Sequence, residues 1–211
     1  MKPTLQKLAT AAGIFGPAAF TVAFTTSERR QEGYSIRNEH ISGLAAPDAR
    51  NPEVLLTGFL VMGGSTILFA TALRERLGGR RGGFGPILLA LSGAGAIGAG
   101  LLRRDRMLLH PPDQPDDYRQ SWKNDGHDIS AGVIYTTSVA APLFLFRHLR
   151  RDPRLASLAP LGLAASATSL SLMAYFSTQV DREGNGLVQR VMVSLPMVFM
   201  SALAWRMLGD S

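Results

Sequence analysis

Apolar and polar residues are sharply segregated along this chain. Six largely uncharged runs stand out: about Leu8–Thr26, Val54–Leu73, Phe84–Leu102, Ile129–Phe146, Leu155–Phe176 and Leu187–Leu208, the last with Arg206 near its end. Each is roughly 18–22 residues, the length that carries a helix rising about 1.5 Å per residue across a hydrocarbon core of about 30 Å. A soluble bundle helix shows polar positions every third or fourth residue. These runs show Gly, Ala, Ser and Thr instead, which let transmembrane helices approach closely. The pattern predicts an all-α fold: a six-helix transmembrane bundle with two long extracytoplasmic loops, in a single integral membrane domain over residues 1–211.

Lys2 and Lys7 precede the first run, as in a signal peptide, but its exit reads Phe24-Thr-Thr-Ser-Glu-Arg-Arg without a small-residue cleavage site, so an uncleaved first span is expected. Pro17, Pro142 and Pro196 lie inside spans, where a bundle interior re-satisfies the backbone groups they free, and they are expected to kink their helices. The third run contains Gly93-Ala-Gly-Ala-Ile-Gly-Ala-Gly100. With no strand before it and no Lys-Ser/Thr after it, this is a close-packing face within the bundle, or a homodimer seam, rather than a phosphate loop.

The connections alternate. Segments 27–52 and 103–128 are long and hold acidic and aromatic residues; 74–83 and 147–154 are short and rich in Arg (Arg74, Arg76, Arg80, Arg81; Arg147, Arg150, Arg151, Arg154). Even parity places both termini on one side. Lys and Arg divide eleven to eleven between the sides, but those on the terminal side are packed about twice as densely, and thirteen of the sixteen acids fall on the other. By the positive-inside rule the expected location is the plasma membrane, multi-pass, with both termini cytoplasmic. Net charge is +6, from 22 Lys and Arg that are nearly all Arg. These flank apolar runs, so the bilayer and its anionic headgroups, not nucleic acid, are the expected partner. There is no cysteine, which excludes disulfides, thiolate nucleophiles and Cys-type zinc sites. Mean hydropathy is only +0.10, because polar connections offset the apolar runs.

The most polar stretch is Arg103–Asp128, with two of the four histidines, six of the sixteen acids and one of the two tryptophans. Connections this long are usually functional or disordered. Met107-Leu108-Leu109, Tyr118 and Trp122 give this one side chains to pack, and Tyr118 and Trp122 suit an interfacial aromatic belt. Both long connections must lie over the same end of a compact bundle, so His40, His110 and His127 are able to meet there with Ser42, Asp113 and Asp128 as a polar cap. His148 lies among arginines on the opposite face and reads as an interfacial side chain. The cap has three readings. It is a pocket for a lipid or small hydrophobic ligand, with no cofactor. It is a zinc site held by His40, His110, His127 and Asp113, with Glu39 or Asp128 as base for a metal-bound water attacking a lipid ester or amide. Or it is structural, with Asp128 and Ser130 capping span four.

Arg103, Arg104 and Arg106 end a span together, and either fork a phosphate headgroup or anchor the surface. Glu28, Arg29, Arg30, Glu32, Arg37, Asp181, Arg182, Glu183 and Arg190 add charge to the same face and read as solvated ion pairs. Haem between facing helices needs histidines within spans, and all four fall in connections or at ends. A proton-coupled transporter plants an acid or base inside the membrane, and the runs hold no Asp, Glu, Lys or His. No pore-lining pattern points to a channel.

A first span followed by His40-Ile-Ser-x-Leu, then a third span with a Pro-Pro-Asp segment after it and a His just before span four, resembles the bacterial and archaeal polytopic proteins grouped as domain of unknown function 998. The resemblance covers nearly the whole chain, with His40, Ser42, Pro112, Asp113 and His127 as the matching residues. It implies a polytopic fold with polar residues at the extracytoplasmic ends of spans, and no activity. The first functional expectation is therefore non-catalytic binding of a lipid or small hydrophobic ligand. A metal-dependent membrane hydrolase is the second. An accessory subunit docking a membrane protein partner through the short Arg-rich connections is the third.

Overall fold

The computed structural model describes residues 2–107, 119–178 and 182–209. Among them are six α-helices and no strand: α1 Pro3–Arg30, α2 Pro52–Arg76, α3 Gly85–Leu101, α4 Trp122–Arg151, α5 Ala159–Thr178 and α6 Asn185–Leu208. Five are long and apolar enough to cross a membrane. The sixth, α3, is apolar but has 17 residues and rises about 26 Å, the short end of the spanning range. Exposed apolar side chains such as Phe15, Val22, Leu68, Leu143, Phe144 and Val198 stud the outer surface. A solvated monomer does not expose so much apolar area; a bilayer covers it. The chain is a multi-pass membrane protein.

Each helix packs on its neighbours in sequence, and α6 returns to α1, so the six form a closed ring. The α2–α3 crossing brings backbone against backbone, because Gly63 and Gly93 face each other there. A Cβ on Gly93 would lie 2.6 Å from the Gly63 carbonyl oxygen, and one on Gly63 would lie 2.5 Å from that of Gly93. The other side of α3 meets α4, where Cβ atoms on Gly95 and Gly98 would meet Ser130. The glycine-rich stretch is thus consumed by close packing inside the chain.

Both termini sit at one end. Gln6 Nε2 donates to the Ala72 carbonyl oxygen at 3.0 Å, joining the start of α1 to the end of α2. There an inner core of Phe69, Leu73, Leu145, Leu149, Leu155 and Leu203 fills the ring. Nearer the other end, Phe20, Phe24, Ile41, Leu44, Leu55, Phe59 and Met197 form a second core.

Two expectations are corrected. The second long connection ends at Ser121, not Asp128. Ser121 caps α4 by accepting from the Asn124 amide at 3.3 Å, and Asp105 accepts from the Ser121 amide at 2.7 Å and from its hydroxyl. His127 and Asp128 are therefore helical, in the second turn of α4, and Asp128 with Ser130 does not cap it; Ser130 Oγ donates to the Gly126 carbonyl at 2.7 Å. Nor is Arg190 a solvated charge. It lies inside the last apolar run and pairs with Glu28, the two side chains being 11% and 4% exposed.

Candidate functional site

The polar end is assembled from both long connections. The Met107 amide donates to Asp48 Oδ1 at 2.7 Å, which ties one connection to the other. After α1, residues 31–46 fold down onto the α6 N-terminus. Gly186 is where they touch, since a Cβ there would lie 2.6 Å from the Glu39 carbonyl oxygen. The Leu187 amide donates to the Arg37 carbonyl at 3.1 Å, and the Gly184 amide to Asn38 Oδ1 at 3.0 Å.

Beneath this contact Arg190 is fully engaged. Its Nε donates to Glu28 Oε1 at 2.8 Å, Nη1 to the carbonyls of Glu39 and Gly186 at 2.9 and 2.8 Å, and Nη2 to the Tyr34 hydroxyl at 2.7 Å. Burial pushes the Tyr34 hydroxyl well above its usual range, against the pull of the Arg190 charge. Tyr34 therefore stays neutral and donates to the Glu39 carbonyl at 3.3 Å. The Glu39 carboxylate turns back to accept from the Ser35 amide. Next along α6, Gln189 Oε1 accepts from the Ile41 amide at 2.7 Å, and its Nε2 donates to the Tyr135 hydroxyl at 3.0 Å. One turn of α6 thus fixes α1, the first connection and α4.

The roof covers a cavity of about 310 Å³ in the axis of the ring. All six helices line it. Phe20, Phe59, Met62, Ala96, Ile134, Val193 and Met197 form apolar walls, with Leu89 and Met200 of the inner core among the lining residues. Toward the roof it is lined by His40, Ser42, Arg104, His127, Asp128, Tyr135 and Gln189, and farther along the shaft only the small hydroxyls of Thr66, Ser92 and Ser138 interrupt the apolar walls. Beyond Ser169 no described residue of α5 is buried, and Phe176 there packs on the His40 ring at a centroid distance of 5.0 Å.

His127 is 1% exposed. Its Nδ1 lies 3.1 Å from the Ala99 carbonyl oxygen and 2.9 Å from that of Leu102. Both partners only accept, so Nδ1 carries the proton and satisfies carbonyls that the C-terminus of α3 leaves open. Nε2 is then the acceptor nitrogen, and no hydrogen bond among the described residues engages it. Asp128 Oδ2 accepts from Gln120 Nε2 at 2.9 Å and from Asn124 Nδ2 at 3.0 Å. Arg104 has its Nε buried without a hydrogen-bond partner, and no ion pair between described residues includes it.

The cap residues read from the sequence therefore divide. His40, Ser42, His127 and Asp128 converge on the cavity. His110 and Asp113 lie outside the described residues, and with them half of the expected zinc set. Among the described residues no group of three His, Asp or Glu is placed to hold a metal. Of the three arginines only Arg104 faces the cavity; Arg103 lies 4.0 Å from the exposed Glu53. His148 borders a depression at the opposite end, with Arg76, Arg151, Asp152 and Arg154.

The profile of a family described as protein of unknown function, DUF998, matches residues 14–206. The chain belongs to the DUF998 family. No curated protein and no solved structure matches it. In this DUF998 protein, His40, Ser42 and His127, the residues that carry the resemblance and fall within the described chain, lie together on one cavity. Sequence reasoning missed Tyr34, Tyr135 and Gln189, and read Glu28 and Arg190 as solvated charges. Only Arg190 left a signal there, as a charge inside an apolar run, where ionisable residues face the bundle interior and find partners.

Proposed function

We propose that this DUF998 protein binds one lipid-like molecule within its helical ring, head toward the roof and chain along the shaft, without transforming it. The observation that carries this reading is the polarity gradient of the cavity: charged, ring and amide groups toward the roof, and walls from all six helices that are apolar but for the small hydroxyls of Thr66, Ser92 and Ser138. Its volume of about 310 Å³ is at the small end of ligand pockets, which run from about 300 to 1,000 Å³ and combine apolar walls with a few placed polar groups.

The orientation belongs to the same proposal. The inner end carries Arg74, Arg76, Arg150, Arg151, Arg154 and Arg206, which supports a plasma-membrane protein with cytoplasmic termini and the roof outside.

Mass spectrometry of the intact protein released from native-lipid nanodiscs tests the binding. Ala131 lines the cavity, so Ala131→Trp fills it. A bound molecule of defined mass on the wild type, absent from a folded Ala131→Trp variant, is the expected result. An empty wild type, or equal occupancy in the variant, would overturn the proposal.

A further inference from the structure

We infer that the molecule held in the cavity is a single-chain lipid with an anionic head, a carboxylate or a phosphate monoester, and that Arg104 is the group that selects it. This inference rests on the binding reading above. Arg104 lines the cavity, yet its Nε is buried without a hydrogen-bond partner and no carboxylate among the described residues pairs with it. The contrast with Arg190 is informative. That guanidinium, equally part of the polar end, has its three nitrogens committed to Glu28, Glu39, Gly186 and Tyr34. Arg104 is half-buried, but a guanidinium nitrogen buried without a partner is costly, and an oxyanion is what its planar donor fork fits best.

The surroundings fit the same head. Ser42 also lines the cavity and offers a further hydroxyl donor. The one carboxylate among the lining residues, Asp128, is exposed, and its Oδ2 is occupied by the amides of Gln120 and Asn124. Size favours a single alkyl chain over the two of a bilayer phospholipid, because a cavity of about 310 Å³ is at the small end of ligand pockets. A minor anionic amphiphile is thereby favoured over the membrane's main lipids.

The test compares dodecyl phosphate, dodecanoate and dodecanol binding to the full chain in phosphatidylcholine nanodiscs, for wild type, Arg104→Gln and Ala131→Trp. Both anions should bind the wild type about tenfold or more tightly than the alcohol, the worth of a charge-assisted hydrogen bond. Arg104→Gln should erase that preference and leave dodecanol binding unchanged. Its ligand-free thermal midpoint should not fall, since the arginine makes no hydrogen bond or ion pair among the described residues; a lowered midpoint would mark Arg104 as structural and overturn the inference. Inorganic phosphate alone should leave the wild-type midpoint unchanged, and stabilisation equal to that by dodecyl phosphate would assign the site to a free oxyanion instead. If all three chains bind wild type and Arg104→Gln alike but not Ala131→Trp, the head-group inference falls and the cavity reading stands. If none binds the wild type, both fall.

Discussion

Arg190 of α6 and Glu28 of α1 form a buried ion pair at the seam where the last helix meets the first. Every other neighbouring pair in the ring is also joined by a connection in the chain. This closure has none, and it is made by a charged pair that also carries the roof.

Breaking the pair from one side should therefore be severe. Glu28→Gln or Arg190→Met leaves a buried charge without its partner, at a cost of roughly 3–5 kcal/mol. The double variant Glu28→Leu/Arg190→Met should recover part of that loss, because the strandable charge is gone. Denaturation of the three variants in matched detergent checks this; additive losses would show that the two residues do not act as a pair.

The α2–α3 crossing offers a steric prediction. Gly93→Val places its Cβ where the Gly63 carbonyl oxygen already stands. Overpacking of this kind costs about 1–3 kcal/mol or more. Gly132→Val, at a position with nothing within 4 Å of its Cβ, is the control and should lose far less thermal stability.

At the opposite end, the Arg76 guanidinium holds the Asp152 carboxyl below the usual carboxylate range, Nε to Oδ2 being 2.9 Å. A carboxyl whose folded pKa is depressed contributes stability that is fully present above its unfolded pKa, about 3.9, and is lost as pH falls through the folded value. The difference in stability between wild type and Asp152→Asn should therefore be constant above about pH 5 and shrink toward zero below pH 4. A difference that persists undiminished at low pH would sink this assignment.

Six helices, their order and their polar end were legible because a bilayer imposes a length and an apolar composition on each span. What stayed hidden is long-range. The start of α4 at Trp122 depends on Asp105, 16 residues away, holding Ser121 in place as its cap. The engagement of Arg190 with Glu28 spans 162 positions, and no local pattern announces it. His40, Ser42 and His127 were readable as a set only because the topology stacks both connections at one end. Their arrangement around an axial cavity follows from ring closure, which is a property of packing and not of any one run.

Metal dependence separates the binding account from hydrolysis. Chelation followed by elemental analysis should leave thermal stability and ligand occupancy unchanged. About one zinc per chain, lost in both His40→Ala and His127→Ala, would instead favour a metal site completed by His110 and Asp113.

Topology is open to direct labelling, since the chain has no cysteine. Glu32→Cys near the roof should react with a membrane-impermeant maleimide on intact cells, and Ser157→Cys at the other end only after lysis. The reverse pattern would invert the proposed orientation.

The most direct test of the central claim is photo-crosslinking with a single-chain anionic amphiphile that carries a diazirine at its chain terminus. Bound as described, the terminus reaches the deep end of the cavity, and peptide mapping should place the adducts on Thr66, Leu89 or Met200, competed by excess dodecyl phosphate. Adducts confined to lipid-facing residues such as Phe15, Val22 and Leu143, with no competition, would contradict it.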